Sequence, residues 1–517
     1  MTQVDPKVNP AETAPISYQE YPREPVGIEN PSVTFMKESL FVPLALSDGW
    51  MRVAMANPED ADTLRALRFA YGVEVEVARG RPEDILETIE RLYGAGSQSL
   101  ENIIEEAGKD VYEISASGDD DVDHLRDMAS EAPIIRLVNR LILNAVEMRA
   151  SDIHFEPFEN LFKVRYRIDG VLTEAESPPS RLQAAVISRL KIMSKLDIAE
   201  RRLPQDGRIK LKISDREIDF RVSTIPTLYG ESLVMRILDR ESLILDLERI
   251  GFPSDILAQY EALIHQPYGM ILVTGPTGSG KTSTLYTTLA KINSPENKII
   301  TLEDPVEYQL RGVNQIQVAP KIGMNFANGL RAIVRQDPDI ILVGEIRDRE
   351  TAEIAVQSAL TGHLLFSTLH TNDAPGAVTR LLDMEVESFL LSSTLLGVLA
   401  QRLVRVNCPS CKRPVAPEER LVNAMNLSPA ETAAVAFMAG AGCPDCRDTG
   451  FKGRTALFEY MPVDDAIRKE INDEATAERI QRAAVKAGMV TLRRNGWRKV
   501  REGVTTIPEV LRVTLEG

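Results

Sequence analysis

The sequence predicts a multidomain α/β protein whose largest part is a doubly wound sheet built around a phosphate-binding loop. Two observations lead there. Residues 275–282 read Gly-Pro-Thr-Gly-Ser-Gly-Lys-Thr, the spacing of a P-loop. From about residue 241 onward, β-branched apolar runs alternate with stretches of helical spacing, as in a sheet covered on both faces. A third observation sets the scale: 517 residues suffice for about three or four domains.

Taken in order, residues 1–25 are rich in Pro, Glu, Asn and Gln and read as a disordered tail. Residues 26–95 read as a small α/β domain. Strands are expected at Leu40–Leu44 and Met51–Met55 around Asp48-Gly49, and a third at Val73–Val77. A helix capped by Asn57 is expected to run to about Phe69, and another from Pro82 to Tyr93. Residues 96–130, with Asp119-Asp120-Asp121, read as a mobile linker. Residues 131–240 open with a helix carrying Ile134, Ile135, Val138, Leu141, Ile142 and Ala145. Strands then flank Asp169-Gly170, a hairpin signal, and a helix is expected near 181–194. Further strands flank Ser214-Asp215 and cover Ser232–Leu238. This is an α+β domain. Residues 241–517 form the P-loop domain, and helices fill about 463–517.

The P-loop follows Met270–Thr274, a strand-like run, and precedes Ser283–Ala290, which has helical spacing. Glycines let main-chain N–H groups turn towards phosphate oxygens, and the helix start adds its positive dipole end. Gly275, Pro276, Thr277, Gly278, Ser279, Gly280, Lys281, Thr282 and Ser283 are the expected nucleotide contacts. Lys281 would reach the β- and γ-phosphates of ATP, and Thr282 would hold Mg²⁺. Two more strand-like runs end in carboxylates, Ile299–Leu302 at Glu303 and Ile340–Val343 at Glu345. A third run, Leu364–Leu369, lies between His363 and His370. This pattern delivers Glu303, Glu345 and His370 to one rim, where ligands of open α/β sheets bind. Glu345 would hold Mg²⁺ or polarise the attacking water.

The four cysteines form two pairs, Cys408/Cys411 and Cys443/Cys446. Two such knuckles suit tetrahedral, structural Zn²⁺, in a module over about 405–455. The N-terminus carries no signal-peptide pattern, and no apolar run approaches membrane-spanning length, so a cytosolic protein is expected. A net charge of −16 weighs against direct nucleic-acid binding.

Four ordered stretches resemble the secretion ATPase superfamily of type II secretion and type IV pili: Gly275–Tyr286, Thr301–Tyr308, Arg335–Asp348 and Thr361–Asp373. In that family these are the Walker A motif, the aspartate box, Walker B and the histidine box. The resemblance extends to Arg149–Pro157, Leu203–Arg208 and the four cysteines. It implies a RecA-like P-loop ATPase domain with a zinc module, assembled as a homo-hexamer. It also implies that Arg208 and Arg221 of the upstream domain reach the triphosphate, as arginine fingers do. Arg331 and Arg335 become candidates for subunit-interface contacts. The stretch Ser392–Arg405 looks most like the type II secretion branch, the E-type ATPases of the general secretion pathway. That branch implies pseudopilus assembly driven by ATP hydrolysis. Residues 30–95 would then dock on the cytosolic domain of an inner-membrane platform protein, so the chain would meet the membrane only through partners. A type IV pilus assembly ATPase shares every catalytic residue named. A DNA-handling motor and a nucleotide-regulated scaffold are less favoured functions for the same motifs.

Overall fold

The computed structural model describes residues 16, 20–22, 26, 33–47, 49–93, 122–213, 216–239, 246–433 and 435–514. Most of the expected linker with its acidic run, the Ser214-Asp215 turn and most of the expected disordered tail lie outside these residues. Ile16 and Tyr21 of that tail, however, are buried in the N-terminal core, and Ile16 N–H donates to the Arg79 carbonyl at 2.8 Å. The chain divides into two compact units, with the main boundary between Ile237 and Leu238.

Near the N-terminus, β1 (Phe41–Ser47), β2 (Trp50–Met55) and β3 (Glu74–Arg79) form a sheet. β1 and β2 are antiparallel, whereas β2 and β3 are parallel and joined through a helix. The helices are α1 (Val33–Glu38), α2 (Ala61–Tyr71) and α3 (Pro82–Tyr93). Ile85, Ile89 and Leu92 of α3 share a core with Phe41, Val42, Met51 and Val53. The cap of α2 is Asp60, not Asn57: the Asp60 carboxylate accepts from the N–H groups of Asp62 and Thr63 at 3.2 Å each. The Asn57 side chain instead accepts from Glu59 N–H, closing a turn before the helix.

The next part begins earlier than the sequence pattern places it. Residues Val122–Ser130, expected as linker, form a helix, α4. Leu125, Met128 and Ala129 are buried at helical spacing, which the intervening charges obscure in the sequence. α5 (Ala132–Glu147) buries Ile134, Leu137, Val138, Leu141, Ile142 and Ala145 along one stripe. Six strands follow: β4 (Asp152–Pro157), β5 (Phe162–Ile168), β6 (Val171–Glu174), β7 (Gln205–Ile213), β8 (Arg216–Thr227) and β9 (Gly230–Asp239), in the order β6-β5-β4-β9-β8-β7. Asp169 and Gly170 both take positive φ between β5 and β6, as a two-residue hairpin turn requires. α6 (Gln183–Met193) carries a buried lysine. Lys191 is 1% exposed and donates to the Glu231 carboxylate at 2.8 Å and to the Glu200 carbonyl at 2.7 Å.

The second unit holds a seven-stranded sheet: β10 (Gly269–Thr274), β11 (Ile299–Glu303), β12 (Asn314–Gln317), β13 (Ile340–Val343), β14 (Leu364–Leu369), β15 (Leu395–Asn407) and β18 (Phe451–Pro462). Their order is β12-β11-β13-β14-β10-β15-β18. All neighbours are parallel except β15 and β18. Every residue of β10, β11, β13 and β14 is buried, as expected where helices cover both faces. One face packs Ile271, Val273, Leu342 and Phe366 against α7 (Ser254–Ile264) and α8 (Lys281–Ile292). The other packs Met270, Leu272, Ile341 and Leu365 against α9 (Phe326–Ile333), α10 (Arg349–Leu360) and α11 (Ala374–Asp383). α12 (Ser388–Thr394) leads into β15. The C-terminal helices are α13 (Asp465–Asn472), α14 (Ala477–Lys486), α15 (Leu492–Arg501) and α16 (Ile507–Thr514).

Lys191→Ala leaves the Glu231 carboxylate buried without its cation. It is expected to destabilise the α6 region by about 3 kcal/mol, read as a lowered urea midpoint. An unchanged midpoint would show that the ion pair contributes nothing net.

Candidate functional site

The P-loop leaves the carboxyl end of β10 and enters α8 at Lys281. Gly275, Gly278 and Gly280 all have positive φ. Gly275 has a second reason to be glycine: a β-carbon there would lie 2.4 Å from the main-chain carbonyl oxygen of Gln401 on β15. The loop therefore rests directly on a neighbouring strand. Lys281 is 9% exposed, and its ammonium donates to the carbonyls of Gly275 at 2.6 Å and Pro276 at 3.3 Å. Burial lowers its pKa to about 8; Glu345 opposes that shift, while Arg402 adds to it. Thr282 and Ser283 are exposed on the first turn of α8. The helix N-terminus and the loop N–H groups together suit an anion.

Glu345 lies just past β13, where the chain is strapped to its neighbours. Gly344 N–H donates to the Leu302 carbonyl at 2.8 Å, and the Thr368 hydroxyl donates to the Gly344 carbonyl at 2.7 Å. One Glu345 oxygen pairs with Arg347, and the other lies 3.4 Å from His370 Nε2. Burial and the Lys281 charge lower the His370 pKa, with Glu345 acting in the opposite sense. Lys281, Glu345 and His370 thus form one electrostatic group at the carboxyl edge of the sheet.

Glu303 does not join them. Its carboxylate is 5% exposed and accepts from the Tyr286 hydroxyl of α8, from Thr301 Oγ1 at 2.6 Å and from Gln315 Nε2 at 3.2 Å. Three donors commit it to a buried knot joining α8, β11 and β12. Burial and the adjacent Glu303 charge raise the Tyr286 pKa, which keeps that hydroxyl a donor. His363 lies apart from this rim, because it precedes β14 at the opposite edge of the sheet. Its carbonyl accepts from Gly269 N–H at 3.1 Å, and its ring Nδ1 lies 2.8 Å from the Ser358 carbonyl. It is a structural histidine.

Arg208 is exposed on β7, and Arg221 is half-buried on β8. By strand alternation both lie on the face opposite Ile209, Phe220 and Val222, which enter the core. Arg331 pairs with Glu350 at 2.7 Å, and Arg335 donates to the Arg331 carbonyl. Sequence pattern assigns no role to Arg347, Arg402, Tyr286 or Gln315. Arg347 stands two residues past Glu345, which offers a local signal. Arg402 is brought to the site by β15 and donates to Asn372 Oδ1 at 3.0 Å, two residues past His370, so no local pattern points to it.

The four cysteine side chains converge in a separate module. Their sulfurs all lie within 4.8 Å of one another, and none is disulfide-bonded. The Sγ separations are 3.8 Å for Cys408–Cys443, 3.7 Å for Cys411–Cys446 and 3.6 Å for Cys443–Cys446. A tetrahedron with metal–sulfur bonds of about 2.3 Å has edges of about 3.8 Å, so the four thiolates fit Zn²⁺. β16 (Lys412–Pro414) and β17 (Met438–Gly440) pair beside the knuckles. Ser410 also donates to Asp445 across them at 2.6 Å. The module is anchored to the sheet and the C-terminal helices. Asn407 donates to the Met438 and Gly503 carbonyls, Arg405 pairs with buried Glu509, and the Arg405 guanidinium stacks 4.2 Å over Phe451. Burial pushes the Glu509 carboxyl up, but Arg405 and Arg512 outweigh it and bring its pKa to about 2.

Residues 15–99 match the MshEN domain, and residues 127–512 match the family described as type II/IV secretion system protein. The chain is 51% identical over 489 residues to type II secretion system protein E of Xanthomonas campestris pv. campestris, covering 94% of this chain and 85% of that protein. It is 46% identical to the type IV pilus assembly ATPase PilB of Myxococcus xanthus, covering 96% of this chain and 88% of that one. Among solved structures, the Legionella pneumophila ATPase DotB shares the fold with a TM-score of 0.54 at 20% identity, over 72% of this chain and 94% of that one. A phosphate loop, Glu345 and His370 on one rim, a four-thiol module and a match across most of its length place the chain in the type II/IV secretion system protein family.

Proposed function

We propose that this protein is the ATPase of a type II secretion system, a RecA-like motor with a zinc module that works as a homo-hexamer and drives pseudopilus assembly. The observation that carries the hydrolysis reading is the convergence of Lys281, Glu345 and His370 at the strand ends beside the start of α8. The 51% identity to type II secretion system protein E favours the secretion branch. The 46% identity to PilB keeps the type IV pilus assembly ATPase as the second reading. A net charge of −16 weighs against a DNA-handling motor. Intact Lys281, Thr282 and Glu345 weigh against a scaffold that only binds nucleotide.

In this reading the P-loop N–H groups and Lys281 hold the β- and γ-phosphates. Thr282 and Glu345 would hold Mg²⁺, which would neutralise part of the phosphate charge. Water attacks the γ-phosphorus as the bond to the bridging oxygen breaks, and ADP leaves. Glu345 is the better candidate for orienting that water, because Glu303 already accepts from three donors. Glu303 then acts by fixing α8 and the aspartate-box loop. Arg208 and Arg221 supply further positive charge in the assembled ring. Residues 26–95 dock on the cytosolic domain of the inner-membrane platform, and Phe69 on α2, 93% exposed, is an apolar contact available for it. No helix among the described residues is long and apolar enough to cross a membrane. Cytoplasmic placement, peripheral to the inner membrane through the partner, completes this reading.

Lys281→Ala is expected to cut ATP turnover by at least about a hundredfold through lost binding. Glu345→Gln should keep ATP binding and lose turnover by a similar factor. Phosphate release with parallel nucleotide-binding measurements checks both, and wild-type turnover in the two variants would remove the site assignment. The lowered Lys281 pKa gives a pH prediction. A bound phosphate keeps the ammonium charged, whereas the free site loses that charge as pH rises through about 8. ADP affinity should be flat below that pH and fall up to about tenfold per unit above it, with uptake of one proton on binding. Calorimetry in buffers of different ionisation enthalpy detects the proton. Protein purified under reducing, zinc-replete conditions should carry one Zn²⁺ per chain by mass spectrometry. Cys446→Ser should lower that content and expose residues 405–455 to protease, and metal-free wild-type protein would contradict the module.

A further inference from the structure

Beneath the phosphate loop stands a polar side chain with no part in the hydrolysis chemistry above. Gln401, on β15, is 1% exposed. β15 runs parallel to β10, with Ala400 beside Thr274, so Gln401 comes level with the first residue of the loop. Its main-chain carbonyl fills the space a Gly275 side chain would need. Its side-chain Oε1 accepts from the Thr284 hydroxyl at 2.8 Å, on the first turn of α8. Its Nε2 would lie 2.8 Å from a β-carbon on Gly280 and has no hydrogen-bond acceptor among the described residues; it is a buried donor aimed at the loop. Ser279 Oγ is a second buried loop atom without a partner among them. Buried polar groups in folded proteins are nearly always paired, so two orphans facing one loop point to a ligand-dependent arrangement.

We propose that Gln401 is a positioning residue for the phosphate cradle, one that sets the height of the Gly275–Gly280 loop and of the first turn of α8. The proposal rests on the reading of this loop as the nucleotide site. A competition for one cation underlies it. The Lys281 ammonium donates to the Gly275 and Pro276 carbonyls. Phosphate oxygens compete for that ammonium, and whatever share they take leaves the inner side of the loop short of a donor. The Gln401 carboxamide is the buried donor standing there, and its other end already holds α8 through Thr284. Removing it should loosen the loop where phosphate binds while leaving the surrounding sheet intact.

The test uses the full-length protein and two near-isosteric variants. Gln401→Met keeps the volume and loses both hydrogen-bonding ends. Gln401→Glu keeps the acceptor for Thr284 but replaces the donor with a charged acceptor under the cradle. Binding of a fluorescent ADP analogue, kcat and KM for ATP, and the nucleotide-free thermal midpoint are measured, with wild type and Lys281→Ala as references. Affinity is expected to fall about tenfold in Gln401→Met and about a hundredfold in Gln401→Glu, mainly through KM, with kcat of Gln401→Met within about threefold of wild type. A merely structural glutamine would instead lower the thermal midpoint of both variants and leave affinity untouched, which overturns the proposal. So does Gln401→Glu binding as well as Gln401→Met. Should either variant fail to fold, Thr284→Val removes the hold on α8. Weaker ADP binding in that variant supports the proposal and wild-type binding overturns it. Failure of the underlying reading is separately visible, as wild-type protein that binds the analogue no better than Lys281→Ala.

Discussion

Burial of the central strands on both faces is the constraint from which the rest of the ATPase domain follows. β10, β11, β13 and β14 expose no residue. Their main-chain groups pair laterally and their side chains alternate between two apolar cores. Polar chemistry is thereby confined to strand ends. The P-loop, Glu345 and His370 are all residues just beyond a strand, at the carboxyl edge, where the start of α8 adds its dipole. His363 shows the same rule from the other side. It too adjoins a strand, but at the amino edge, where its contacts are local and structural.

That edge gives two similar carboxylates different work. Glu303 ends one strand rich in β-branched residues and Glu345 lies just past another. β11 lies beside β12, and its last residue meets Tyr286 from α8 and Gln315 from β12. Glu345, held by the β13–β14 strapping, meets the basic side chains of Arg347 and His370. Hydrogen-bond donors that spend a carboxylate's lone pairs make it a structural tie, whereas basic groups that can move leave it available for chemistry. Glu345 also lies within the field that Lys281 experiences, so the rim behaves as one electrostatic unit.

The thiol module and the C-terminal helices form a second unit of tertiary logic. Four sulfurs at tetrahedral spacing gather the two knuckles, and Met425, Leu427 and Phe437 from the stretch between them join the main apolar core. Arg405 and Asn407 connect that stretch to the end of β15, and β15 is the strand that carries Gln401 and Arg402 to the P-loop edge of the sheet. Glu509, buried between Arg405 and Arg512, ties the last helix to the same strand. A displacement of the C-terminal helices would therefore be felt on the strand under the phosphate loop.

Much of this was legible in the sequence. Glycine spacing located the loop because its turns take positive φ at Gly275, Gly278 and Gly280, and cysteine pairs located the module because two knuckles bring four thiols together. Period-two and period-3.6 patterns located β5, β6, α3 and the helices past residue 463. Local pattern failed where the deciding contact is distant or the signal is diluted. Asp60 displaced Asn57 as the α2 cap because its carboxylate reaches the first free N–H groups, a matter of backbone geometry. α4 was hidden by charges among Leu125, Met128 and Ala129. The different fates of Glu303, Glu345 and His363, the placing of Gln401 against a loop more than a hundred residues away, and that of Arg402 beside Asn372 were decided only by the order of strands in the sheet. Sequence alone determined which candidate groups this protein carries, because they reside in short motifs with fixed spacing. The tertiary structure decided which of those groups face one another, because the partners come from strands adjacent in the sheet and distant in the chain.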